Sequence, residues 1–100
     1  MAKLHFSNKA VEDLSGIWSY TADMWSEKQA DQYYDMIIAS CHKIAANPSL
    51  FGRQYKEIAE TLYGFKTNKH IVFYMVTDEG DIEIVRILHE RMDLRNRIGE

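Results

Sequence analysis

Residues 71–88, IVFYMVTDEGDIEIVRIL, contain two runs of strand-forming side chains separated by a short polar segment. The first run, residues 71–76, is β-branched, aromatic and otherwise apolar, which is typical of a strand buried in the centre of a sheet. Residues 78–81 include Gly80, which tolerates the positive φ that tight hairpin turns require. Residues 82–88 supply a returning strand, so the stretch predicts an antiparallel β-hairpin.

Two helices are predicted before this hairpin. After a short alternating strand at residues 4–6, Ser7 can cap a helix whose apolar positions recur every three or four residues to about Asp23. A capping box that begins at Ser26 starts the second helix. Its helical period continues to Pro48, which disfavours a helical residue before it. Because the connection between them is short, the two helices should form an antiparallel hairpin.

The remaining elements complete one domain. Residues 62–66 predict a strand, a turn at Asn68-Lys69 leads into the β-hairpin, and residues 92–98 predict a short last helix. The order β-α-α-β-β-β predicts an α+β two-layer sandwich, with the N-terminal strand and helical hairpin packed on an antiparallel β-meander. A chain of 100 residues is long enough for a single domain, residues 1–100.

Composition excludes several classes of function. A formal net charge of −3 argues against a strongly electrostatic grip on nucleic acid, so we expect no direct sequence-specific nucleic-acid binding. No apolar run approaches the roughly 18–20 residues that cross a membrane, and the N-terminal residues lack the apolar stretch of a secretory signal. The single Cys41 falls in a helical apolar pattern, which indicates a buried thiol in a reduced, cytoplasmic protein.

Metal and cofactor chemistry is not predicted. The four histidines, His5, His42, His70 and His89, show no close pairing, and the lone cysteine offers no second thiolate. The five glycines are scattered singly and form neither a phosphate-binding loop nor a nucleophile elbow. We therefore expect no metal, no cofactor and no nucleophilic triad.

Arg86 is the least ordinary residue of the predicted sheet, because it is a cation within an apolar strand. It requires a carboxylate or carbonyl partner, or a functional groove, since burying it unpaired would be costly. Strict alternation places Arg86 on the face of Ile84 and His89 on the opposite face, unless the strand bulges. Together with Tyr74 they could perform acid–base ribonuclease chemistry. Alternatively, His70 and His89 are ordinary strand-end residues.

Several short motifs recur along the chain in a jointly specific arrangement. They are DLSGIWSYT at residues 13–21, Trp25, QADQYY at residues 29–34, the pairs Asn47-Pro48 and Gly52-Arg53, GF at residues 64–65, HIVFY at residues 70–74 and IVRILHERMD at residues 84–93. Together they resemble the ParE-type toxins of the ParE/RelE toxin–antitoxin superfamily, which are also known as plasmid stabilisation system proteins. The resemblance extends from Leu4 to about Leu94.

The resemblance implies a toxin with the RelE/ParE-like fold, neutralised by a ParD-like antitoxin whose disordered tail folds onto it. ParE toxins inhibit DNA gyrase and block replication, whereas RelE-type relatives cleave messenger RNA on the ribosome. The acidic net charge and the final segment RNRIGE, without His or Tyr, favour gyrase. We expect a binding protein rather than an enzyme. The alternatives are a ribonuclease that uses Tyr74, Arg86 and His89, and an inactive homologue that only binds an antitoxin.

Two sets of contact residues follow from the resemblance. The expected target-binding residues are Arg86, His89, Arg91 and Arg95. The expected antitoxin-binding residues are Trp18, Trp25, Tyr33 and Tyr34. Core packing would also account for aromatic residues at these helix positions. The antitoxin is expected to dock as a helix laid in a groove or as an added strand.

Overall fold

The computed structural model describes residues 3–47 and 52–99, whose strands join in one mixed sheet. The strands are β1 (Leu4–Phe6), β2 (Arg53–Gln54), β3 (Tyr63–Thr67), β4 (His70–Val76) and β5 (Ile82–His89), and the helices are α1 (Asn8–Met24), α2 (Glu27–Ala46) and α3 (Leu94–Ile98). The spatial order is β1-β5-β4-β3-β2. Strands β3, β4 and β5 form the predicted antiparallel meander. β1 pairs with β5 in parallel, a pairing that the sequence did not predict.

The helical hairpin is confirmed, including its start signals. The Ser7 and Ser26 side chains accept hydrogen bonds from the backbone N–H three residues later, at 3.0 and 3.1 Å. Helix α1 continues to Met24, one residue beyond the predicted end, and α2 ends at Ala46. Pro48, the predicted stop, lies outside the described residues. No helix in the described part of the chain is long and apolar enough to cross a membrane.

The main core lies between the helical hairpin and one face of the sheet. Its buried members come from α1, α2, β4 and β5 and include Leu14, Ile37, Ile44, Val72 and Ile84. Four of these five side chains are fully buried, and the fifth, Leu14, is 6% exposed. Burial on this scale, at about 25 cal/mol per Å² of apolar surface, is the main force that holds the two layers together.

The opposite face of the sheet is also covered. Leu62, Ile71, Phe73 and Leu88 form a second buried cluster. Partly buried side chains that pack on this cluster are Tyr55, Ile58, Met75, Leu94 and Ile98, of which the last two belong to α3. The two-layer description therefore holds for the hairpin and the sheet. The C-terminal helix and the segment before β3 add a partial cover on the other side.

A β-bulge in β5 corrects the predicted faces of that strand. Phe73 pairs with Arg86 but Tyr74 pairs with Ile84, so Val85 has no counterpart on β4. An extra residue reverses the alternation beyond it. Arg86 consequently originates on the face of Phe73 rather than on the face of Ile84, as strict alternation had predicted. The bulge precedes Arg86, so Arg86 and His89 still begin on opposite faces.

Candidate functional site

A groove of about 720 Å³ opens beside the C-terminal half of β5. It exists because β1 pairs only with the first part of β5, from Ile82 to Ile84. The remaining edge lies next to α1, and the turn between β3 and β4 closes one side. Exposed apolar side chains on its rim are Tyr20, Trp25 and Met92, with 65%, 73% and 42% of their surfaces accessible. We call this space the β5 groove.

Arg86 and Asp13 form a nearly buried ion pair at one end of the groove. The Arg86 Nε and one terminal nitrogen donate to the two carboxylate oxygens of Asp13 at 2.9 and 3.0 Å. The other terminal nitrogen donates to the Arg97 carbonyl at 2.6 Å. Asp13 also accepts the backbone N–H of Ile87 at 2.9 Å, which occupies part of the open β5 edge. The Arg86 side chain therefore joins α1, β5 and α3.

A second polar cluster consists of Tyr33, His70 and His89. The Tyr33 hydroxyl lies 2.6 Å from His70 Nδ1, although 37 residues separate the two in sequence. His70 and His89 face each other across β4 and β5, with ring centroids 5.2 Å apart and an interplanar angle of 84°. The His89 Nδ1 accepts the Arg91 backbone N–H at 3.2 Å. All three rings line the β5 groove.

Burial and hydrogen bonding restrict the protonation of this cluster. Burial, followed by the proximity of His89, lowers the pKa of His70 to about 4, so its ring is neutral at pH 7. Burial raises the pKa of Tyr33, and a hydrogen bond from the Lys69 backbone opposes that rise. The direction of the bond between the Tyr33 hydroxyl and His70 Nδ1 is set by the His70 tautomer. The Arg91 amide can only donate to His89 Nδ1. This bond places the proton of the His89 ring on Nε2.

The three residues of the ribonuclease alternative are not brought together. Tyr74 is fully buried and stacks on Tyr63 at 5.6 Å, and burial, followed by the proximity of Tyr63, raises its pKa to about 12. Its hydroxyl lies against Gly52, where an added Cβ would be 2.6 Å from the Tyr74 Cζ. His89 pairs with His70, four residues along β4 from Tyr74, a separation of about 13 Å along the strand. Arg86 is held by Asp13.

The expected target-binding residues occupy different environments. Arg86 is buried, with 8% of its surface accessible, whereas Arg91 and Arg95 are exposed. His89 is partly buried in the groove. Arg95 lies on α3, and its guanidinium donates to the Glu57 carbonyl. Arg91 and His89 are therefore the members of this set that lie together at the end of β5.

The four expected antitoxin-binding aromatics divide between two surfaces. Trp18 and Tyr34 line a separate groove of about 590 Å³ between α1, α2 and β1, which we call the hairpin groove. The Trp18 indole N–H donates to Asp31 at 2.9 Å. Trp25 and Tyr33 line the β5 groove instead. Tyr34 and Trp25 are exposed, and Trp18 and Tyr33 are partly buried.

The sequence matches a family model described as ParE toxin of type II toxin-antitoxin system, parDE, over residues 4–94. The chain belongs to the ParE toxin family. It is 40% identical over 88 residues to a ParE toxin of Mycobacterium tuberculosis, covering 88% of this chain and 89% of that toxin. It is 30% identical over 92 residues to an Escherichia coli ParE toxin, covering 92% and 88%.

Solved structures show the same fold. A chain of the chromosomal ParDE system of P. aeruginosa superimposes with a TM-score of 0.78 at 17% identity, covering 89% of this chain and 96% of that one. A chain of a RelBE toxin–antitoxin complex from Mycobacterium tuberculosis gives a TM-score of 0.69 at 13% identity, covering 88% and 96%. The RelE/ParE-like fold is thereby confirmed, and this family member is the toxin component of a ParDE-type system.

Sequence reasoning missed three participants in these sites. Asp13 is within the quoted DLSGIWSYT motif, but nothing in its local pattern identified it as the partner of Arg86. The contact of Tyr33 with His70 and the contribution of Lys69 depend on the packing of α2 against the β3–β4 turn.

Within the described residues, no group of three or more His, Cys, Asp or Glu side chains could hold a metal ion.

Proposed function

We propose that this ParE-family toxin inhibits DNA gyrase by binding and that a cognate ParD-like antitoxin neutralises it. The observation that carries the choice of binding over catalysis is the separation of Tyr74, Arg86 and His89. A general base must lie within hydrogen-bond reach of the proton that it removes, about 2.6–3.2 Å or one water away. Tyr74 is buried, Arg86 is paired with Asp13, and His89 lies in the β5 groove. The three side chains therefore cannot contact the same bound phosphate.

The exposed rim of the β5 groove supports a role in binding. Tyr20, Trp25 and Met92 project apolar surface, and Arg91 adds a cation next to His89. Aromatic residues, methionine and arginine are enriched in protein–protein interfaces. Side chains that served only to pack the core would be buried, whereas these are exposed. We therefore propose His89 and Arg91 as target contacts, with the aromatic rim around them. Arg86 serves this surface indirectly, because it holds α1, β5 and α3 together.

The hairpin groove is the proposed docking site of the antitoxin. Its volume of about 590 Å³, its apolar floor and its exposed Tyr34 suit an amphipathic helix, which places side chains from successive turns into such a groove. Alanine substitution of Tyr34 and of Trp25 tests the two grooves separately. We expect Tyr34→Ala to weaken antitoxin affinity by roughly tenfold, as loss of an aromatic interface anchor commonly does. Unchanged affinity of both folded variants would contradict an aromatic docking site.

The gyrase proposal is tested with purified toxin in a supercoiling assay and in a cleaved-complex assay. We expect inhibition that the antitoxin relieves and that Arg91→Ala weakens. Lys28→Ala is the matched control, because Lys28 is also an exposed cation but lies at the start of α2, outside the residues that line the β5 groove. No effect at stoichiometric excess of toxin over gyrase would overturn the proposal.

A translation extract separates the remaining possibilities. Only a ribosome-dependent ribonuclease would cut messenger RNA in such an extract, and an inactive antitoxin-binding homologue would inhibit neither gyrase nor translation. In bacteria that express the chain, labelling of DNA and protein synthesis in the first minutes makes the same distinction. We expect DNA synthesis to fall first.

A further inference from the structure

We propose that the paired imidazoles of His70 and His89 form a phosphate-binding site in the β5 groove. Both rings line this groove, and their centroids are 5.2 Å apart. That spacing allows the two rings to donate to different oxygens of one tetrahedral oxyanion. The inference goes beyond gyrase inhibition and does not depend on it.

We assign to His70 the tautomer in which the Tyr33 hydroxyl donates to Nδ1, so that its proton, like that of His89, lies on Nε2. Each Nδ1 is occupied, His70 by the Tyr33 hydroxyl at 2.6 Å and His89 by the Arg91 amide at 3.2 Å. Within the described residues, neither Nε2 has a protein partner. Every fully buried side-chain nitrogen or oxygen there does have one, so both Nε2–H groups reach solvent. With these tautomers the groove presents two Nε2–H donors, and fixed N–H donors are what anion sites commonly use.

The same hydrogen bonds argue against two other uses of a histidine pair. A metal ion would bind the Nε2 lone pair, so the proton of His89 would have to move to Nδ1. There it would face the Arg91 N–H, and the hydrogen bond from that N–H would be lost. Acid–base catalysis with His89 as the base also needs a free Nε2 lone pair, whereas acceptance of the Arg91 N–H at Nδ1 places the proton on Nε2. Donation to an oxyanion requires no change of tautomer.

The charges around the pair permit an anion. Lys69 is exposed, lines the groove and follows Asn68 in the turn before β4. The nearest carboxylates are already engaged, because Asp13 is paired with Arg86 and Glu90 lies 3.5 Å from Lys66. Glu12 also lines the groove and remains the main opposing charge. A phosphate group gains from Lys69 in addition to the two imidazoles, and its three or more oxygens match several separate donors.

Phosphate binding is measured by titration of the full-length toxin with inorganic phosphate at constant ionic strength and pH 7.5, followed by two-dimensional NMR of the imidazole nitrogens. We expect saturable shifts of the Nε2–H signals of His70 and His89. The internal controls are His5 and His42, which lie outside the groove. Parallel titrations with acetate and with a short single-stranded oligonucleotide test the ligand class and its source.

Variants test whether the oriented donors are responsible. His89→Ala should lower phosphate affinity roughly tenfold, since hydrogen bonds to charged groups are among the stronger ones. His89→Gln can keep an N–H at a similar reach and should retain more affinity. Tyr33→Phe removes the hydroxyl that fixes the His70 tautomer and should also weaken binding. Each variant is first shown to be folded by its backbone amide spectrum.

The outcomes divide clearly. Saturable shifts confined to the pair and weakened by His89→Ala support the site, and tighter binding of the oligonucleotide than of phosphate would identify a nucleic-acid backbone as the source. Equal or weaker oligonucleotide binding would identify a free phosphate group. Non-saturating shifts, equal shifts at His5 and His42, equal binding of acetate, or full affinity in His89→Ala would overturn the proposal.

Discussion

Substitution of Asp13 by alanine should destabilise the fold more than removal of an exposed carboxylate does. The change deletes the acceptor of three hydrogen bonds, two from Arg86 at 2.9 and 3.0 Å and one from the Ile87 backbone at 2.9 Å. It leaves a guanidinium whose side chain is only 10% exposed. Breaking a buried pair in this way costs about 3–5 kcal/mol. Since the Arg97 carbonyl still accepts one bond, we expect about 3 kcal/mol.

Urea unfolding followed by circular dichroism measures this free energy, with linear extrapolation to water. A double-mutant cycle adds Arg86→Met and the combined variant. The double variant should be more stable than the sum of the single effects predicts, by at least about 1.5 kcal/mol, because it leaves no unpaired buried charge. The control is Glu57→Ala, which breaks the exposed Arg53–Glu57 pair and should change stability little, since its side chains are 64% and 51% exposed.

Either of two results would contradict a stabilising role for the Arg86–Asp13 pair. One is a loss of less than about 1 kcal/mol in Asp13→Ala, which would mean that solvent replaces the carboxylate at little cost. The other is strict additivity in the cycle, which would mean that the two side chains do not stabilise each other. A destabilised Glu57→Ala control would show that the assay does not distinguish this pair from surface pairs.

Three further predictions concern His70, Cys41 and Gly52. Because the pKa of His70 is lowered to about 4 in the folded chain from 6.5, unfolding binds a proton between those values, so the free energy of unfolding rises with pH across that window. Between pH 7 and pH 4 the free energy of unfolding should therefore decrease by about 1–2 kcal/mol less in His70→Asn than in the unsubstituted protein, allowing for solvent screening of a partly exposed ring. Urea unfolding at several pH values measures this difference, and identical pH profiles for the two proteins would contradict the prediction. Burial raises the pKa of the Cys41 thiol to about 12, so alkylation in the native protein should be slower than in urea by roughly 100-fold or more, and fast native labelling would contradict the buried placement. Gly52→Ala should lower the free energy of unfolding by about 1–3 kcal/mol, because the added Cβ would overlap the buried Tyr74 ring. Tyr74→Phe in the same chain should restore only part of this loss, since the ring Cζ would still lie 2.6 Å from that Cβ. An unchanged stability of Gly52→Ala would mean that the ring can move aside.

The sequence predicted the type of partner that Arg86 requires, but not which residues supply it. An arginine inside an apolar strand requires a carboxylate or a carbonyl, and Arg86 has both, from Asp13 and Arg97. Asp13 could not be identified beforehand because it is 73 residues away in sequence. Similarly, His70 and His89 were recognised as strand-end residues, but the contact of Tyr33 with His70 was not predicted. The bulge at Val85 also reversed the predicted face of Arg86.

Local sequence patterns predicted the two long helices, β1 and the three strands of the meander in their correct order, but not the two-residue strand β2. Helical periods, the caps at Ser7 and Ser26, and the turn at Gly80, which takes a φ of 84°, are local properties that depend on residues within a few positions. The parallel pairing of β1 with β5, the cover on the second face of the sheet and the contacts among Tyr33, His70 and His89 became known only from the folded chain. These depend on strand register and on side chains that meet across the fold. Such contacts leave no periodic signal in the chain, because their free energy comes from burial and hydrogen bonding between distant residues.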